Sequence, residues 1–375
     1  MITRRNYLKQ APLAVGCLAV SGARMFAAEP ELEISGKRSL KEHGRKCGIL
    51  AGCAVGARQL HDEAFQRLVA EQFDLAVSEN SMKFGPLSPK PGEYNWTDAD
   101  ALVEFAQKNK MKVRGHNFVW HAQLPSWFKG TATKDNARKI MVDHINTVGG
   151  HFKGKIQSWD VVNEAINVGD GMSDGLRKSP WYELIGPEYL DIAYRTARKA
   201  DPKAKLTYNE YGIEDDSEEN GKKRAATLAL LKRFKNNGTP IDALGIQSHI
   251  HAGTGETYGK GMRELISGAE ALGLEVYLTE FDVNDDGVES DEAAARDRAV
   301  AAVYKDYLDI ALESKAVKAV LTWGVSDKDT WLNGLKEHRE KRANRRQRPL
   351  PFDNELKATA PFFAMRDAFD KAPHR

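Results

Sequence analysis

The sequence predicts an α/β fold, a (β/α)8 TIM barrel. Three observations carry that reading. Short apolar runs rich in β-branched residues alternate eight times with longer segments of helical spacing, the pattern of parallel strands joined by crossover helices. No Pro/Ser-rich linker, composition break, repeat or low-complexity tract divides the 375 residues, a length one barrel can fill. Seven of the eight strand runs end in groups able to bind or catalyse, where this fold builds its active sites. An open doubly wound sheet is the alternative to closure.

The chain begins with MITRRNYLKQAPLAVGCLAVSGARMFAA, residues 1–28. Four basic residues (Arg4, Arg5, Lys9, Arg24) and no acidic ones accompany an apolar stretch, 11–23, too short to span a bilayer. This reads as an export signal. TRRNYLK, 3–9, resembles the twin-arginine type, which implies a periplasmic or extracellular destination. Cleavage is expected near Ser21-Gly22-Ala23 or Phe26-Ala27-Ala28. Cys17 after Leu13-Ala14-Val15-Gly16 makes a lipoprotein the disfavoured alternative.

Residues 29–45 are polar and read as an irregular lead-in, and 46–372 as a single barrel domain. The expected strands are 47–55, 73–79, 112–118, 156–164, 205–210, 243–249, 275–283 and 317–324. Helices are expected near 61–72, 98–110, 134–152, 187–200, 218–237, 260–273, 290–314 and 356–370. Ala225, Leu228, Leu231 and Phe234 make one such helical stripe. Cys47 and Cys53, placed on one extended strand, would lie about 20 Å apart, beyond disulfide reach, and read as buried small apolar residues.

Charge narrows the function. The whole chain carries 55 Lys+Arg against 53 Asp+Glu, a net of +2. That argues against a general nucleic-acid binder. Without residues 1–28 the balance is 51 basic against 53 acidic, a net of −2, so the positive sign belongs to the leader. No apolar run reaches the roughly 18 residues of a membrane span. The most basic tract, 336–348 (KEHREKRANRRQR), has seven basic and two acidic residues. It reads as a solvated loop; the sharper alternative is that Arg342, Arg345 and Arg346 attract acidic branches of a substrate.

The strand endings are Glu79-Asn80, His116-Asn117, Asn163-Glu164, Asn209-Glu210, Gln247-Ser248-His249, Glu280-Phe281-Asp282 and Trp323. Glu164 and Glu280 end the fourth and seventh strands. Two carboxyl groups facing across a barrel mouth suit glycoside cleavage: one protonates the leaving oxygen, the other attacks the anomeric carbon or activates water. The acid has to hold its proton near neutral pH, and a nucleophile has to stay ionised.

With those residues placed, the chain resembles glycoside hydrolase family ten, the endo-β-1,4-xylanases. The carrying segments are SENSMKF (78–84), VRGHNFVWHAQLPSW (113–127), WDVVNEAI (159–166), GIQSH (245–249), LTEFDV (278–283), TWGVSDKDTWL (322–332) and RPLPFD (348–353). The resemblance implies Glu164 as acid/base and Glu280 as nucleophile, with retention through a glycosyl-enzyme. It also implies a 2-hydroxyl contact from Asn163, and His249 set between Glu280 and Asp282. Gln247 and Asn209 would be polar contacts at the cleavage point. Glu79, Asn80, Lys83, His116 and Trp120 would line the glycone side, Trp323 and Trp331 would wall the cleaved sugar, and Tyr208 would help on the leaving-group side. Xylan is the implied substrate and a monomer the implied state, without metal or cofactor.

The chain departs from the family pattern at Phe84-Gly85, where Trp-Asp is usual, at Ser88-Pro89, where Glu-Pro is usual, and at Glu210 and Phe281. Other chemistries fit less well. His116 with His121, or His249 with His251, would suit a metal, but no H-E-x-x-H segment exists. GGHFKGK, 149–155, has phosphate-loop spacing but follows a helix and precedes a strand, the reverse of that motif. A non-catalytic xylan-binding barrel and a β-1,4-glucan-active glycosidase are the remaining alternatives.

Overall fold

A computed structural model describes residues 34–342 and 344–375. The segment expected to be an export signal, Cys17 within it and the first residues of the lead-in lie outside the described residues. Eight parallel strands close on themselves: β1 (Leu50–Val55), β2 (Leu75–Ser78), β3 (Lys112–Val119), β4 (Ser158–Asn163), β5 (Lys205–Glu210), β6 (Ala243–Ile246), β7 (Glu275–Asn284) and β8 (Val317–Thr322). Each pairs with its sequence neighbours, and β1 meets β8 with Leu50 opposite Ala319, which closes the barrel. A short strand, His249–His251, runs beside the upper end of β7, with His249 opposite Asp282.

A helix follows each strand: α1 (Glu63–Gln72), α2 (Thr97–Lys108), α3 (Ala137–His151), α4 (Tyr189–Ala200), α5 (Glu218–Asn236), α6 (Lys260–Ala271), α7 (Ala293–Ala311) and α8 (Ala360–Lys371). Local chemistry sets their starts. Asp62 accepts hydrogen bonds from the Ala64 and Phe65 amides, and Ser217 from that of Asn220, satisfying N–H groups that a helix start leaves without partners. Among the described residues no helix is long and apolar enough to cross a membrane.

Apolar packing occupies two shells. Ala54, Leu75, Val77, Ala243, Tyr277, Ala319 and Leu321 fill the barrel interior, with Trp323 above them. The larger shell lies between strands and helices. There Trp159, fully buried, stacks on Phe118 with centroids 4.1 Å apart. Its ring crosses Gly115 so closely that a Cβ there would lie 2.0 Å away. The interior also holds a buried Arg114 that donates to Asp160, Ser158 and Thr207. Such a charge is tolerable only because it is paired and hydrogen-bonded.

The lead-in is corrected by the structure: Leu40–Cys47 is an α-helix, started after Ser39 and ended by the left-handed Gly48. It buries Leu40, His43, Gly44 and Cys47, an i, i+3, i+4, i+7 stripe whose polar members hid it from an apolar count. Cys47 therefore ends a helix, and only Cys53 lies on β1; both are buried free thiols. The barrel begins with this helix rather than at residue 46.

Candidate active site

Strand alternation decides which side chains reach the barrel mouth. In β5, Thr207 and Asn209 turn inward while Tyr208 and Glu210 turn to the helices. The fully buried Tyr208 hydroxyl donates to Glu210, which also accepts from the Ile166 amide and pairs with Lys223 Nζ at 2.8 Å. Tyr208 is thus excluded from the cleft, a correction to its leaving-group role. Three residues on, Tyr211 takes the cleft wall instead.

The mouth holds a cleft of about 550 Å³. Glu79, Asn80, Lys83, His116, Trp120, Asn163, Glu164, Gln247, His249, Glu280, Trp323 and Trp331 line it, together with Gln123, Tyr211 and His251. Asn209 and Asp282 sit just beneath, hydrogen-bonded to the lining. Gln123 and Tyr211 were not singled out from the sequence, and His251 was weighed there only as a metal ligand. Gln123 falls inside the VRGHNFVWHAQLPSW run and Tyr211 directly after a strand ending, so the signal was present.

Glu164 follows β4 with φ +58°, a left-handed backbone that aims its carboxyl into the mouth. Trp120 Nε1 donates to Oε2 at 2.8 Å; Gln247 Nε2 and Asn163 Nδ2 donate to Oε1 at 3.0 and 3.1 Å. His121 Nδ1 lies 3.8 Å from Oε2. Burial, joined by the Arg177 charge, lowers the His121 pKa to about 4, so that ring is neutral. Arg177 Nε donates to the Glu164 carbonyl at 2.8 Å and fixes the turn from behind.

Glu280, only 5 % exposed, lies on the inward face of β7. Asn209 Nδ2 donates to Oε1 at 2.7 Å, and His249 Nε2 lies 3.2 Å from Oε2. Burial raises the Glu280 pKa, but the His249 hydrogen bond and the charges of His116, His249 and Lys83 outweigh it and hold it at about 2. Burial opposes charge on His249 as well. Asp282, 2.8 Å from Nδ1, and Glu280 prevail and push its pKa well above the imidazole range. Asp282 is itself anchored by Trp331 Nε1 at 2.7 Å.

A continuous chain of hydrogen bonds links the two carboxylates, from Glu280 through Asn209, Asn163 and Gln247 to Glu164. Lys83 Nζ reaches Asn80 Oδ1 at 3.0 Å and lies 5.1 Å from the Trp120 ring centre. Burial pushes the Lys83 pKa down, against the charges of Glu280, Glu79 and Glu164. Burial likewise raises that of Glu79, against Lys83 and Asn80. His116 Nδ1 is 2.9 Å from Asp160.

The pattern of glycosyl hydrolase family 10 matches residues 39–368. The chain belongs to that family. Endo-1,4-beta-xylanase A of Thermoanaerobacterium saccharolyticum is 36% identical over 337 residues, 86% of this chain and 27% of the relative. Exoglucanase XynX of Acetivibrio thermocellus is 35% identical over 86% of this chain and 29% of its own length. The chain therefore spans less than a third of both these relatives. The native xylanase 10B of Thermotoga maritima superposes with a TM-score of 0.78 at 34% identity, covering 89% of this chain and 98% of that one. This family 10 chain thus shares the whole barrel with that xylanase.

The basic tract is also relocated in function. Lys336–Arg342 is helical, and His338 lies 2.8 Å from Asp286. Arg345 is buried and donates to the carbonyls of Asp285 and Val288 and to Asp291. Arg348 forks onto Asp297 at 2.5 and 2.9 Å. Arg345 fastens the acidic 285–291 loop and Arg348 holds Asp297 on α7 rather than facing solvent, which removes Arg345 from the set suggested for acidic branches.

Proposed function

We propose that the chain is an endo-1,4-β-xylanase that cleaves internal xylosidic bonds with retention. One observation carries this reading. A buried carboxylate held ionised by a charged imidazole and an amide, Glu280, shares one cleft with a second carboxyl, Glu164, aimed by a left-handed turn.

Glu280 attacks the anomeric carbon while Glu164 protonates the leaving oxygen. Glu164, then ionised, takes a proton from water, which releases the sugar from Glu280. His249 and Asn209 each donate to one carboxylate oxygen of Glu280, which favours its ionised form. Asn163, within 3.1 Å of Glu164, meets the 2-hydroxyl, a contact that strengthens as positive charge develops on the ring. Glu79, Asn80, Lys83, His116 and Trp120 bind the glycone side. Tyr211 offers a stacking face for the leaving sugar, and Trp323 and Trp331 wall the cleaved one. Xylose lacks the hydroxymethyl group of glucose, and bulky indoles beside the site would disfavour that extra group.

Wild type should release reducing sugar from xylan, and Glu280→Ala should lose at least about 10⁴-fold in kcat while still binding the polymer. Binding without release by wild type would leave a non-catalytic sugar-binding barrel. The exoglucanase among the relatives favours a glucan-active second reading. Parallel kcat/KM values on xylan and β-1,4-glucan oligosaccharides decide between them. Export through the twin-arginine-like leader and a monomeric state complete the proposal. Arg4→Lys with Arg5→Lys should keep the enzyme inside the producing cell, and light scattering should give the monomer mass.

A further inference from the structure

The Glu210 carboxyl turns away from the cleft, yet it gathers groups that lead to one side chain of the cleft wall. Its Oε2 accepts from the Tyr208 hydroxyl and from the Ile166 amide at 3.1 Å. Its Oε1 accepts from the Tyr211 amide at 3.1 Å and from Lys223 Nζ at 2.8 Å. The Glu210 side chain is fully buried and that of Lys223 is 11 % exposed. Such a pair tolerates burial because further hydrogen bonds fill the carboxylate, and they fix where the ammonium sits.

That place is over Tyr211. Lys223 Nζ lies 3.5 Å from the centre of the Tyr211 ring, well inside the range of a cation–π contact. Arg177 Nη2 donates to the Tyr211 hydroxyl at 3.1 Å while its Nε holds the Glu164 carbonyl, so the ring stands on the leaving-group side. Gly212, with φ +63°, turns the chain back over the start of α5, and a Cβ there would lie 3.7 Å from Lys223 Cδ. One face of the ring is therefore covered by the ammonium. Tyr211 is still 38 % exposed and lines the cleft, which leaves the other face to a sugar. A tyrosine free to swing would lose that freedom each time a sugar stacked on it, and binding would be weaker by that cost. A ring fixed beforehand avoids it.

We propose that Lys223 is a positioning residue for the leaving sugar. Without touching substrate, its ammonium, anchored by Glu210, holds Tyr211 in the orientation that stacks on the first sugar beyond the cleaved bond. The inference rests on the xylanase reading of the cleft. It gives α5, which supplies none of the residues lining the cleft, a part in how strongly the leaving side is gripped.

The test compares xylotetraose, which places sugars on both sides of the cleaved bond, with β-xylobiosyl fluoride, whose leaving group has no ring to stack. Lys223→Met keeps the apolar stem and removes the charge. It should lose about threefold to tenfold in kcat/KM on xylotetraose, mainly through a higher KM, and stay within about twofold of wild type on the fluoride. Lys223→Arg, which can keep both the charge over the ring and the carboxylate contact, should retain most of the wild-type ratio. Glu210→Gln/Lys223→Met removes both charges together, so neither stays buried alone, and should show the same selective loss; it carries the test if the single variant does not fold. Equal losses on both substrates, an unchanged ratio, or an arginine variant as impaired as the methionine one would overturn the proposal. Folded wild type inert on both substrates would instead remove the reading of the cleft itself.

Discussion

At the scale of single residues, His249 is the group whose removal separates ionisation from attack. Its hydrogen bond is the first of the effects that lower the Glu280 pKa to about 2 against the burial that raises it. Loss of the ring therefore lets that pKa rise. Glu280 then becomes protonated at a higher pH, and the acidic limb of kcat/KM moves upward by at least about one unit. A pH–rate profile of His249→Ala checks this; an unmoved limb with a uniformly lower rate would mean the ring only positions Glu280. Arg177 acts on the other carboxyl through its backbone. Holding a non-glycine residue left-handed costs about 1–3 kcal/mol, and Arg177 spans the turn by donating to the Glu164 and Ile166 carbonyls and to Tyr211. Arg177→Ala should cut kcat by about 10–100-fold with KM nearly unchanged, since the acid is misaimed while the sugar contacts remain. Lysine should not restore the rate, because a single ammonium cannot span three acceptors.

At the scale of elements, the parallel pairing of β3 and β4, with Gly115 opposite Trp159, sets the height of Glu164 above the core. Trp159 fills the space that Gly115 leaves, and the ring carries β4 toward Asn163 and Glu164. A methyl group at 115 would force that ring outward, so Gly115→Ala should destabilise the fold by at least about 1–3 kcal/mol, measurable as a lower urea midpoint at constant m-value. The same element shows what could be read beforehand. Trp159 was legible as core because it sits inside an apolar run, and the eight strand–helix pairs were legible because period two and period 3.6 alternate cleanly. The helix Leu40–Cys47 was not, because His43 and Gly44 occupy its buried stripe. Tyr208 was misplaced because motif membership does not say which way a strand residue points; counting alternation from inward-facing Asn209 would have turned it outward. The tract 336–348 misled for a different reason. Its charge count gave no sign of the acidic loop that neutralises it. Arg345→Ala should lower stability by about 2–4 kcal/mol by leaving the buried Asp285 region short of donors, and should reduce activity on glucuronic-acid-bearing and linear xylans alike.

At the scale of the molecule, the barrel separates catalysis from closure. The groups of the cleft sit at the upper strand ends and in the loops that follow them, whereas the seam between β1 and β8 is fastened at the lower ends. There the Arg375 amide donates to the Cys47 carbonyl at 3.0 Å. Its guanidinium donates to the carbonyls of Leu312, Ser314 and Val317. His43 on the leading helix lies 2.6 Å from Asp370 on α8, so one cluster ties the first described helix to the last across the start of both strands. Carbonyls half-buried in such a place lose their partners when the guanidinium is removed. Arg375→Ala should therefore cost about 1–3 kcal/mol, seen as a melting temperature lower by about 2–5 °C. Because the seam lies a full strand length from Glu164 and Glu280, kcat/KM at 25 °C should stay within about twofold of wild type. Calorimetry and initial rates on the same preparation test both halves together. A variant that melts normally but loses activity would show that the lower seam holds the geometry of the upper mouth, and that closure and catalysis are one property of this barrel rather than two.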